Sequence, residues 1–127
     1  MNNFKLRLDS PYDNYYNGEA SYLSLPGVEG RLGILVNHVD IIIQLSSGMI
    51  HVTSNNNIDS YFISEGYFIM KNNEASVICN KIVLVDDNFN VDNEIADIKK
   101  IIDSTSNNNT KDVAVNNLSF LQKLKEE

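Results

Sequence analysis

Two histidines and one cysteine, His38, His51 and Cys79, are the side chains best suited to nucleophilic or metal chemistry. Neither histidine has a cysteine or carboxylate at metal-ligand spacing. Neither stands in a pattern that would activate a serine or cysteine nucleophile. His51 reads as decoration on a strand, His38 as a hydrogen-bonding anchor of its loop, and Cys79, in an apolar run, as a small buried hydrophobe. Asp86, Asn88, Asn90, Asp92 and Glu94 alternate like the start of a calcium loop. The sharp-turn glycine of such a loop is replaced by Val91, and its final bidentate position falls on Asp97 rather than a glutamate. The stretch therefore reads as an acidic linker and helix start. Gly27, Gly30 and Gly33 lack the following lysine and hydroxyl of a phosphate cradle. Asn108-Asn109-Thr110 matches a glycosylation acceptor, which a cytosolic chain would never present to the machinery. The sequence thus predicts no catalytic residue, no cofactor-binding residue and no metal ligand.

The composition narrows the class. A chain of 127 residues suits one domain, or one small domain with an appendage. A net charge of −7 argues against a nucleic-acid footprint, which needs a basic face, and leaves open a meeting with a basic protein surface. A single cysteine forbids an internal disulfide and fits a reducing compartment. The apolar runs Asp40 to Leu45 and Ile82 to Val85 are far too short to span a bilayer. Met1-Asn2-Asn3-Phe4-Lys5 begins nothing like a signal or Arg-rich transit peptide, so the expectation is a chain that works in the cytosol or is made inside an organelle. Asparagine is abundant and tryptophan absent; codon bias accounts for this, with no structural meaning expected.

The elements follow from periodicity. Phe4, Leu6 and Leu8 alternate with polar residues, which predicts a half-buried strand, ended by the turn chemistry of Ser10 to Asn14. Tyr15 to Gly18 gives a short second strand and turn. Glu19 to Leu25 alternates through Ala20, Tyr22 and Leu25. Between Leu25 and His38, three glycines and Pro26 predict a tight, rigid loop linking a strand over 20–25 to one over 40–45. Ile41 to Ile43 are β-branched, Met49 to Thr53 follow Gly48, and Asn55-Asn56-Asn57 turns into Ile58 to Ser64. Tyr67 to Met70 and Ala75 to Cys79 flank a two-residue hairpin at Asn72-Asn73, since asparagine tolerates positive φ. Ile82 to Val85 closes the series. Short strands separated by turns predict an all-β sandwich, a flattened antiparallel barrel, over 1–86. From Val91 the apolar positions 91, 95, 98, 101 and 102 take helical spacing, with Asn90 as N-cap and Lys99 and Lys100 in the last turn. A polar linker over 104–109 precedes a second helix, capped by Thr110, with Val113, Ala114, Leu118, Leu121 and Leu124 as its stripe. The predicted second domain, 87–127, is a two-helix hairpin.

The glycine stretch also carries a resemblance. Leu25-Pro26-Gly27, Gly30, Gly33-Ile34-Leu35 and Asn37-His38 fall in register with the pattern of the F-type ATP synthase epsilon subunit (bacterial epsilon, equivalent to mitochondrial delta). Val36 and Asp40 replace two prolines of that pattern. Leu45-Ser46-Ser47-Gly48 and Ser64-Glu65-Gly66-Tyr67-Phe68 match further landmarks, and the resemblance covers residues 4 to about 85. It implies a non-catalytic rotor subunit of the central stalk of a proton-translocating ATP synthase. That subunit links gamma to the c-ring, couples proton flow to ATP synthesis and lets its helical tail brake ATP hydrolysis at the alpha/beta head. It also implies a peripheral position on the cytoplasmic face of a bacterial inner membrane, or an organelle-encoded equivalent, with no direct membrane insertion. The implied c-ring side of the sandwich comprises Glu29, Gly30, Arg31, His38 and Asp40, where acidic groups would meet basic c-ring loops.

Two other classes stand beside this one. A free-standing β-sandwich adaptor or ligand-binding module is the alternative; an enzyme in its own right has no supporting constellation. Some bacterial members of the resembled family bind ATP at the helical hairpin through an isoleucine-aspartate, two residues, arginine-alanine motif. The best match is Val91 to Ala96, where Asp92 and Ala96 are in place and Ile95 holds the arginine position. Isoleucine offers no donor to a phosphate, so the segment predicts a packed helix start without ATP.

Overall fold

A computed structural model of the chain describes residues 3–86, 89–104 and 108–126, with backbone alone at 108–110 and 126. It divides into two compact units, Met1–Asp86 and Asp87–Glu127.

The first unit is a ten-stranded near-barrel. In chain order the strands are β1 (Phe4–Asp9), β2 (Asn14–Ala20), β3 (Tyr22–Gly27), β4 (Gly30–Leu35), β5 (Ile41–Leu45), β6 (Gly48–Ser54), β7 (Asn57–Ile63), β8 (Gly66–Lys71), β9 (Glu74–Cys79) and β10 (Ile82–Val85). The sheet runs β10-β7-β6-β3-β5-β8-β9-β1-β2, and β4 pairs with β3 alone. All pairs are antiparallel except β1 with β9, which is parallel. Alternating residues turn inward to one core: Phe4, Leu6 and Leu8 from β1, Leu23 and Leu25 from β3, Ile50 and Val52 from β6, Phe68 and Met70 from β8, with Ile34, Leu45, Tyr61, Ile63, Val77 and others. Each such side chain, taken fully from water, contributes about 1.5–3 kcal/mol, and that shared interior is what closes the sheet on itself.

Local detail departs from the periodicity in three places. β2 runs straight through Gly18, which pairs with Leu6, so that glycine makes no turn. Ser21 shifts the phase between β2 and β3: its N–H donates to the Thr53 carbonyl at 2.8 Å, and beyond it Leu23 and Leu25 face inward while Tyr22 is exposed. The stretch expected as a rigid loop is instead a hairpin. Gly27 pairs with Gly30 around a two-residue turn at Val28 and Glu29, and β4 follows β3 in register to Tyr22 and Leu35. Gly30 takes φ 131°, a value side chains resist. A Cβ on Gly33 would collide with the Tyr22 ring, so the glycine is a seat for an aromatic on the neighbouring strand rather than a breaker.

The asparagines are structural after all. Asn37, Asn55, Asn56, Asn72 and Asn73 all have φ between 50° and 67°. Among the described residues no other non-glycine side chain adopts positive φ. Asn55-Asn56 joins β6 to β7 and Asn72-Asn73 joins β8 to β9, each closing a two-residue hairpin whose twist needs left-handed backbone at both positions.

The second unit pairs α1 (Val91–Ser104) with α2 (Asn108–Glu126). Asn90 caps α1, its Oδ1 accepting the Asn93 N–H at 3.1 Å. Lys125 near the end of α2 meets Asp92 near the start of α1 at 2.7 Å, so the helices run antiparallel. Ile95, Ala114, Phe120, Leu121 and Leu124 are buried. α1 continues a turn past Lys99 and Lys100, and its last turn holds no basic residue. Val113, expected in the stripe of α2, is 60% exposed, and Phe120 takes a buried place instead. That helix begins at Asn108, ahead of the expected cap; the side chain of Thr110, like Asn88 of the calcium-like run and residues 105–107 of the linker, lies outside the described residues. Among the described residues no helix is long and apolar enough to cross a membrane.

Candidate partner-binding surface

The β3–β4 hairpin and the loop that follows it hold all five residues of the expected surface, but at two places. Glu29 and Gly30 form the tip of the hairpin. The tip is held against the end of β5: Val28 N–H donates to the Gln44 carbonyl at 3.1 Å, and Ser46 N–H donates to the Pro26 carbonyl at 2.8 Å. Pro26 has no N–H to lose here and its carbonyl is fully used. Glu29 is exposed, and its carboxylate makes no hydrogen bond or ion pair among the described residues. A surface groove of about 570 Å³ lies between the hairpin and β5, bounded by Glu29, Arg31, Leu32, Ile41, Ile43 and Gln44 among others.

His38 and Asp40 sit at the other end of β5, roughly 16 Å away at strand rise. There the loop is clasped to the β8–β9 turn in both directions. Asn37 N–H donates to Asn73 Oδ1 at 2.7 Å, and Asn72 N–H donates to Asp40 Oδ1 at 2.9 Å. Asn73 in turn donates through Nδ2 to the Asn3 carbonyl at 3.1 Å. His38 Nδ1 lies 2.9 Å from the Val39 carbonyl, a local contact that orients the ring. The clasp depends on the turn asparagines, whose left-handed backbone aims their amides at the loop.

Arg31 is engaged sideways. Its Nη1 donates to Ser24 Oγ at 2.7 Å and its Nη2 to the Met49 carbonyl at 2.5 Å, so it reaches across β3 to β6. Ser24 pairs with His51 across that boundary, and His51 Nδ1 lies 2.8 Å from Ser60 Oγ. Burial first, and the Arg31 charge second, hold His51 below its ordinary pKa. His51 is thus more than a decoration on a strand. Ser24, Gln44, Ser60 and Asn72 were not singled out by sequence; only the turn signal at Asn72-Asn73 marked any of this set. Cys79 is buried, and its thiol pKa is pushed up to about 12 by that burial, which makes it inert. Among the described residues no group of three or more histidine, cysteine or acidic side chains is placed to hold a metal ion. In the helical unit Ile95 is buried and Asp92 is engaged by Lys125, so the segment 91–96 packs and pairs with its own hairpin.

Comparison with known proteins supplies the context. A family model described as "ATP synthase, Delta/Epsilon chain, beta-sandwich domain" matches residues 3–85. The ATP synthase epsilon chain of Pelagibacter ubique is 32% identical over 85 residues, covering 66% of this chain and 65% of that one. The mitochondrial ATP synthase subunit delta of Saccharomyces cerevisiae is 28% identical over 115 residues, covering 87% of this chain and 72% of that one. The matches to the Pelagibacter and Desulfitobacterium hafniense epsilon chains span 65% and 58% of those relatives, less than two-thirds of their length. A chain in the solved Euglena gracilis mitochondrial ATP synthase (OSCP/F1/c-ring, rotational state 1) shares the fold, with TM-score 0.68, 14% identity and coverage of 99% of this chain and 81% of that one.

Proposed function

This chain belongs to the ATP synthase delta/epsilon family, and from that premise we propose that it is a non-catalytic rotor subunit of the central stalk, linking gamma to the c-ring and coupling proton flow to ATP synthesis. The family sandwich over residues 3–85 is the observation that carries the reading. The two ends of β5 are its c-ring side. Glu29 and Gly30 present an exposed tip whose carboxylate makes no hydrogen bond or ion pair among the described residues. His38 and Asp40 present a second patch held stiff by Asn72 and Asn73. Arg31 belongs to the same surface, its guanidinium engaged sideways by Ser24 and the Met49 carbonyl. Stiffness suits a coupling part, because a loop that yields under torque transmits less of it. The helical pair acts as a brake on ATP hydrolysis at the alpha/beta head, and the chain sits peripherally on the cytoplasmic face of the membrane.

The test is reconstitution. The purified full chain should hydrolyse no ATP, form a one-to-one complex with gamma and bring the c-ring with it. Glu29→Lys should weaken the c-ring contact at low salt and leave gamma binding unchanged, as expected for a steering charge at a rim. ATP hydrolysis by the pure chain, or no gamma binding, would sink the proposal.

A further inference from the structure

We propose that Arg31 is a positioning residue, a strut that fastens the β3–β4 hairpin to β6, and that His51 beside it makes this strut sensitive to protons. The need for a strut comes from the sheet. β3 pairs with β6 only from Tyr22 to Ser24, then leaves it and touches β5 at Gly27. Where β3 changes partner, β6 runs on through Ile50 and Met49 with no strand N–H from β3 to accept. Arg31, opposite Pro26 on β4, fills that notch with a side chain. Its planar fork donates to Ser24 Oγ and to the Met49 carbonyl at once. One side chain thus joins β4, β3 and β6 and sets the angle at which the hairpin tip projects.

The proton sensitivity comes from what surrounds His51. From β3 it faces Ser24 and Tyr22, from β4 Arg31, and from β7 Ser60. Asp59 lies one position along β7, and Asp86 follows Val85, the β10 partner of Ser60. Ser60 Oγ can accept from or donate to the ring, so that bond survives protonation. The pairing with Arg31 does not improve: a second cation is set beside the guanidinium across Ser24. The neutral ring is therefore compatible with the strut, and the imidazolium opposes it. The consequence for docking rests on the reading of the hairpin tip as a partner surface; the strut itself does not.

The experiment uses the full chain alone, so its outcome is separate from that reading. NMR spectra from pH 7.5 to 5 would follow the His51 ring and the backbone amides of Gly30 and Arg31. The amides should titrate with the midpoint of His51. In His51→Gln they should stay at their high-pH positions across the range. In Arg31→Gln the His51 midpoint should move up and the hairpin amides should lose their dependence on it. Arg31→Lys, which keeps the charge but loses the fork, should retain a lowered His51 midpoint while the hairpin amides already sit displaced at pH 7.5. Hairpin amides that ignore His51 in the unmodified chain, or a His51 midpoint unmoved in Arg31→Gln, overturn the proposal.

Discussion

The sandwich and the helical pair solve the burial problem differently. The sandwich encloses Phe4, Leu6, Leu8, Leu23, Leu25, Ile34, Leu45, Ile50, Ile63, Phe68 and Val77 almost completely, drawing them from strands spread along residues 4–79. The helical pair buries short stripes and leaves Ile101, Val113 and Val115 exposed. Both units leave apolar side chains outside, Val39, Ile42 and Ile58 on the sandwich among them, but the sandwich also owns a closed interior and the helical pair has little. Amphipathic helices of this length draw their stability from what they pack against. The difference teaches that a self-sufficient frame and an element dependent on its packing partner can share one short chain.

The largest effect should come from puncturing the closed interior. Phe68→Ala removes a fully buried ring and should cost the sandwich about 3–5 kcal/mol, read by chemical denaturation of the β signal. Leu121→Ala should reduce helix signal and leave the sandwich transition in place. Loss of both signals together in Leu121→Ala would erase the distinction between the units.

A smaller effect tests how the frame holds its edge. Asn73→Ala places a side chain with poor left-handed tolerance at φ 60° and removes the acceptor of the Asn37 N–H. It should destabilise by roughly 1–3 kcal/mol, and proton exchange at the Asn37 amide should quicken more than at the Val28 amide, at the other end of β5. Equal acceleration at both would mean that the two ends of β5 are one unit.

Asn90→Ala removes the cap of α1 and should cost about 1 kcal/mol, confined to the helical signal. The smallest effect is the response to pH. His51 titrates below its ordinary value of 6.5 in the folded chain, so the unfolded chain binds more protons near that pH. Stability should fall as pH drops through 6.5 and level off below the folded midpoint. His51→Gln should flatten that limb of the denaturation profile.

Much of the frame was legible because its signals are local. Phe4-Leu6-Leu8 can alternate only as a strand with one buried face, and Asn72-Asn73 between two such strands can only turn. The hairpin at Gly27 to Gly30 was misread because glycine and proline signal both a loop and a tight strand pair. What decides between them is Tyr22 lying over Gly33, a contact that exists only once β3 and β4 are aligned. The phase shift at Ser21 depends in the same way on a carbonyl of Thr53, thirty-two positions away. The site was legible as a stretch and not as a geometry. Glu29 and Asp40 look like neighbours in sequence, and β5 separates them. The reach of Arg31 across to β6 follows from β3 changing partners, which no residue type announces. The asparagines carried structural meaning that composition alone concealed.

On the proposed function, the sandwich by itself is the assembling part of the molecule. The direct measurement is the affinity for gamma, by calorimetry, of the full chain and of a chain ending at residue 86. The shortened chain should unfold cooperatively and bind gamma within a fewfold of the full chain. A shortened chain that folds but binds gamma a hundredfold more weakly would contradict it, because the helices would then carry the attachment.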